Sequence, residues 1–188
     1  MKKALIAGAA SLAMAAMPVV GVFAVDQTDT LKVTIDSSCS VKNITHDNGS
    51  DEVGKWSGDT LSGTLSAGAY DNNFGSTSMT VVCNNSAGWQ VTATTSDLVN
   101  AKNDKISPVA NLSAGTTGYN WTVSQDDGTG LTIPTGAQGA AAEDSVASYN
   151  KPTDGNGKTF TVTYGISLAN DVAAGTYSGT VAYTLNQL

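Results

Sequence analysis

Along much of this chain apolar and polar residues alternate, and a period of two marks strands rather than helices. The clearest run lies near the C-terminus. Phe160, Val162, Tyr164, Ile166 and Leu168 take every second position of one stretch, and Tyr177, Gly179, Val181, Tyr183 and Leu185 do the same in the next. Ala173-Ala174-Gly175 connects this late pair of strands, and Thr and Ser fill the opposite faces, as when one side packs and the other meets water. Upstream, Leu31–Ile35 reads as a first strand leading to Cys39, 43–59 as a polar stretch, and Leu61–Leu65 as a short edge strand. Thr77–Cys83 places Met79, Val81 and Cys83 on one face. The turn Asn84-Asn85-Ser86-Ala87-Gly88 and the strand Trp89–Ala93 follow, which predicts a hairpin over 77–95. Tyr119, Trp121 and Val123 share a side of another strand, and 125–157 is irregular, either a surface loop or two weak edge strands. Many short strands between turns, with no repeat and no heptad, predict one all-β domain, an antiparallel β-sandwich.

The first residues do not belong to that pattern. Met1-Lys2-Lys3 precedes an uncharged run, Ala4–Ala24, whose end Val22-Phe23-Ala24 carries the small residues that signal peptidase reads. The run is long enough to span a bilayer. Its Ala and Gly content, Pro18 and the polar Asp26–Asp29 that follow favour cleavage after Ala24 instead. This predicts a signal peptide at 1–24, a single domain at 25–188 and no integral span in the mature chain. Thr, Ser, Gly, Asn and Val dominate that domain, a composition suited to strands and turns. Cleavage would remove two of the nine lysines and none of the sixteen acids, taking the formal charge from −7 to −9, and the chain has no arginine. A nucleic-acid or anionic-lipid surface is therefore excluded, whereas cationic partners are allowed. Export also fixes the fate of the two cysteines. In an oxidising space Cys39 and Cys83 form one structural disulfide.

Candidate chemistry is sparse. His46 is the only imidazole and sits in a polar stretch, so it reads as a surface bystander rather than a triad member. The pairs Asp51-Glu52, Asp126-Asp127 and Glu143-Asp144 are sequence neighbours in loops, a poor arrangement for two carboxylates flanking one glycosidic bond. Asp47–Glu52 and Asp154–Gly157 cluster oxygen ligands without the spacing of a calcium loop, and ordinary Asx-turns explain them. With no Cys-x-x-Cys, a zinc or redox site lacks its ligands, and no cofactor is expected. Trp56, Trp89, Trp121, Tyr70 and Tyr119 invite a carbohydrate-stacking reading. Trp89 and Trp121 lie in strands and read as core, which leaves Trp56 as the possible exposed contact.

Two segments carry a resemblance. Met79-Thr80-Val81-Val82-Cys83 followed by Gly88-Trp89-Gln90-Val91-Thr92-Ala93, and the ending Ala174–Leu185, resemble WxL-type bacterial surface domains, with Tyr183 in the place of the motif tryptophan. The same features are similar to pilin-like secreted domains such as spore coat protein U and fimbrial subunits. The resemblance implies a single Ig-like or pilin-like sandwich on the bacterial surface, non-covalently associated with the cell wall, with a wall polymer or other surface proteins as partners. The expected role is a non-catalytic structural or adhesive module. The alternative is a fimbrial or coat subunit that self-associates by strand exchange, and a secreted hydrolase is a distant third.

Overall fold

Eleven strands and no helix form among the described residues of a computed structural model, namely 33–50, 53–125, 130–139 and 143–188. The chain divides into two units, Met1–Thr34 and Ile35–Leu188. Of the first, only Val33 and Thr34 are described, both exposed and without regular structure. The expected leader and its expected cut at Ala24, together with Leu31 and Lys32 of the expected first strand, lie outside the described residues.

In chain order the strands are β1 (Cys39–Asn48), β2 (Lys55–Ser57), β3 (Thr60–Ser62), β4 (Tyr70–Cys83), β5 (Trp89–Thr95), β6 (Leu98–Val99), β7 (Lys105–Ile106), β8 (Gly118–Gln125), β9 (Asp144–Tyr149), β10 (Lys158–Ser167) and β11 (Val181–Gln187). A four-stranded sheet runs β1-β4-β10-β8 and a three-stranded sheet runs β11-β5-β9, all antiparallel. Two small hairpins, β2–β3 and β6–β7, complete the set. The fold is an all-β sandwich. Its main core joins Met79, Val81, Trp121, Phe160 and Val162 of the first sheet to Trp89, Val91, Val146 and Tyr149 of the second. Trp89, Trp121 and Phe160 are fully buried, as the alternation predicted. Truncating rings of that size in such a core typically costs about 3–5 kcal/mol each.

Pairing departs from the sequence reading in two places, and in a third the structure decides between two readings. The expected hairpin over 77–95 is not one, because β4 and β5 lie in opposite sheets and 84–88 arches between them. Gly88 makes that arch possible: its φ is +93°, and a Cβ there would stand 1.8 Å from the Tyr149 carbonyl oxygen. The late pair β10 and β11 is likewise split between sheets, and β11 starts at Val181, so Tyr177 and Gly179 of the expected strand precede it. Of the two readings of 125–157, the edge-strand one is nearer. The segment supplies the edge strand β9, Leu131 to the core, and a two-way backbone pairing between Thr132 and Ser148.

The first strand is also displaced. Val33–Ile35 form no strand, with Val33 68% and Ile35 80% exposed, and the true β1 begins at Cys39 and runs into the stretch that read as polar. A bulge explains the concealment. Register slips between Val41 and Asn43, so Val41 opposes Val81 and Ile44 opposes Met79. Both therefore face the core side although they are three residues apart, and the period of two is lost. Facing inward does not bury them. β1 sits at an edge of the four-stranded sheet, and Val41 and Ile44 remain 38% and 52% exposed.

Cys39 and Cys83 are disulfide-bonded and directly opposed across β1 and β4. The expected pairing is thus present, tying the edge strand to the long central one. With a sequence separation of 44, the chain-entropy model gives the crosslink about 4 kcal/mol. We expect the Cys39→Ala/Cys83→Ala double variant to lose about that much stability in denaturant unfolding, read as a lower midpoint at unchanged slope. Mass spectrometry of the unreduced protein should find the two cysteines linked.

Candidate functional site

The site begins with a break in sheet pairing. Along β4 and β10 the partners run regularly until Tyr164 meets Gly75, and the next pair is Ile166 with Asp71. Three residues of β4, 72–74, thus stand opposite the single Gly165. A bulge of this kind bends the strand and re-aims side chains. The β2–β3 hairpin lies over the break, with Trp56 and Leu61 opposed across it. Gly75 makes room for both: a Cβ there would come within 2.7 Å of Leu61 and 3.0 Å of the Trp56 indole nitrogen. Two backbone donors fasten the approach to the hairpin. Ser50 N donates to the Asn73 carbonyl (3.1 Å), and Trp56 N donates to Asn48 Oδ1 (3.0 Å).

Trp56 is not the exposed contact that its polar neighbours suggested. It is half-buried, and its indole N–H is buried without a hydrogen-bond partner. His46 stacks on one face of the ring, at 4.1 Å between centroids and 19° between planes. Tyr164 stands tilted to it at 6.1 Å and 55°. Nor is His46 a bystander in a loop. It sits in β1, opposes Thr77, bonds Thr77 Oγ1 through Nδ1 (3.1 Å), and approaches Asp59 through Nε2 (3.4 Å). The sequence concealed this because Asn, Thr and Asp surround His46 on an edge strand.

A cavity of about 350 Å³ opens where these elements meet. Trp56, Phe74, Tyr119 and Tyr164 contribute its aromatic walls, while Asp59 and Thr180 contribute polar groups. The Asp59 side chain is fully exposed and marks the mouth. No lysine or histidine is among the described residues that line the cavity. Its inner end rests on the second apolar cluster, built from Ile106, Tyr119, Ile166 and Leu168.

The phenols here are held neutral. Tyr164 and Tyr183 hydroxyls bond each other at 2.6 Å. Burial raises Tyr164 above the ordinary phenol range and raises Tyr183 well above it, the neighbouring Tyr164 adding to the second effect. Tyr119, whose hydroxyl donates to the Ser96 carbonyl, is pushed up to about 12, again mainly by burial.

The other sequence candidates lie elsewhere. Trp89 and Trp121 are core, and Tyr70 is exposed beside a separate shallow hollow with Asn72 and Thr122. The Asp154 carboxylate accepts from Asn156 N and Gly157 N, an Asx-turn. Asp144 accepts from Gly139 N (3.0 Å). Asp51, Glu52, Asp126 and Asp127 lie outside the described residues. Among the described residues, no group of three or more His, Cys, Asp or Glu could hold a metal ion, and no helix is long and apolar enough to cross a membrane. Sequence reasoning missed Phe74 and Asp59 altogether and placed Tyr164 simply in a strand. Comparison with family models, with curated proteins and with solved structures finds no match for this chain.

Because the folded phenol values lie above the unfolded value near 10, this burial stabilises the fold fully below about pH 10. That contribution is lost as pH rises through the folded values. Ultraviolet titration should therefore show Tyr119, Tyr164 and Tyr183 ionising above the ordinary phenol range. Tyr183→Phe should remove one of the late phenols.

Proposed function

We propose that this chain is an exported bacterial surface module, associated non-covalently with the cell wall, that binds without catalysing. The observation that carries this reading is the aromatic cleft, a recess of ligand size held on a rigid, disulfide-tied body. Three further points support it. The disulfide suits an oxidising space. The one imidazole is engaged in packing Trp56 and bonding Thr77. The likeness of 77–95 and 174–185 to WxL-type domains points to the wall, with a wall polymer or other surface proteins as partners. The tested outcome is sedimentation with purified bacterial cell walls, with release by denaturant and not by reductant. Recovery of all the protein in the supernatant overturns the reading.

A second reading is favoured by one specific observation. Val33 and Ile35 are exposed at alternate positions, and the inward-facing Val41 and Ile44 of edge strand β1 are uncovered. An alternating segment and an apolar edge are the two halves of strand exchange between copies, as in a coat or pilus subunit. In that case purified protein runs as concentration-dependent polymers in sedimentation velocity, and deletion of 31–35 leaves monomers. A monomer that refolds alone rules this second reading out.

A further inference from the structure

We propose that the cleft takes a compact organic cation, a quaternary ammonium group. The inference deepens the binding role proposed above and rests on it. Three observations select the chemistry. First, the walls are aromatic on several sides, with Trp56, Phe74, Tyr119 and Tyr164 around one cavity of about 350 Å³. The Trp56 and Tyr164 planes meet at 55° rather than lying parallel. Rings set at an angle enclose a rounded group and present their electron-rich faces to a positive charge.

Second, the flat-ring alternative fits poorly. Stacking a sugar needs an open aromatic platform and a ring of convergent hydrogen-bonding groups. One face of Trp56 is already covered by His46, Tyr119 is 5% exposed, and the phenols of Tyr119 and Tyr164 are bonded to Ser96 and Tyr183. The Trp56 indole N–H remains unpaired inside, and a single such donor does not match the ring of hydroxyls that a sugar presents. Third, the charge is complementary. Asp59 stands fully exposed at the mouth, no lysine is among the described residues that line the cavity, and the whole chain has a formal charge of −7. An anionic ligand would meet the Asp59 carboxylate at the mouth.

The bound group is recognised by its cationic head, whether that head is carried by a lipid, a polymer or a free solute. Calorimetry with choline, set against its neutral isostere 3,3-dimethylbutan-1-ol, isolates the charge at constant shape. Choline should bind tighter by between about twofold and thirtyfold, the range of cation–aromatic attraction. Equal affinity for the two, or no saturable binding of choline, overturns the proposal. Trp56→Leu should abolish the preference. Asp59→Asn, at a fully exposed position where folding is not at stake, should weaken choline several-fold and leave the isostere unchanged. Unaltered choline affinity in both variants places the site elsewhere and overturns the assignment.

Sedimentation with phosphatidylcholine vesicles locates the group on a lipid. Binding of free choline without sedimentation locates it on a soluble or wall-borne carrier. Choline should also displace the protein from purified walls if a wall-borne carrier is the source. Choline binding by a protein that never sediments with walls sinks the location and keeps the cation site. Wall retention by a protein that ignores choline does the reverse.

Discussion

Strand β4 holds the molecule together. It is fourteen residues long and pairs along one edge with β1 and along the other with β10. Met79, Val81 and Cys83 on its inner face form part of the floor of the main core, and Cys83 carries the disulfide that secures the edge strand. A strand paired on both sides and buried on one face cannot shift register without turning its apolar set outward. Every feature of interest is therefore referred to its frame.

The cleft exists because that frame is interrupted once. From Lys158↔Val81 to Tyr164↔Gly75 the ladder between β4 and β10 is continuous, and the core there is closed. The bulge at 72–74 ends the tight packing, and the Trp56–Leu61 hairpin roofs the gap instead of a further strand. Rigidity is retained by stacking and hydrogen bonds: His46 on Trp56, Tyr164 to Tyr183, and Tyr119 to Ser96. A recess walled by side chains already fixed in place loses little side-chain freedom on binding, which favours a small ligand with few contacts.

The two functional readings draw on different parts of the sandwich. The cleft lies where the β2–β3 hairpin meets the β4–β10 bulge, whereas strand exchange would use the uncovered edge at Val41 and Ile44. A surface module that binds a head group and one that assembles with its own kind are thus compatible on one body. Neither use consumes the other's residues.

By itself the sequence determined the class of fold, the core and the crosslink. Alternation over 77–83, 119–123 and 158–168 identified strands whose inner residues are buried or packed half-buried against the core, because a face packed against a second sheet imposes a period of two. Two cysteines in the whole sequence left one pairing to make, and it is made. Partnership was a matter for the tertiary structure alone. Nothing local distinguishes a hairpin turn from an arch between sheets, so 84–88 was legible as a turn and not as a crossing. Nothing local announces a bulge either, and the slips at Lys42 and at 72–74 removed the periodicity of β1 and created the cleft. Trp56 read as exposed because its neighbours in the chain are polar. Its real neighbours, His46 and Tyr164, are 10 and 108 residues away, and only folding brings them within reach.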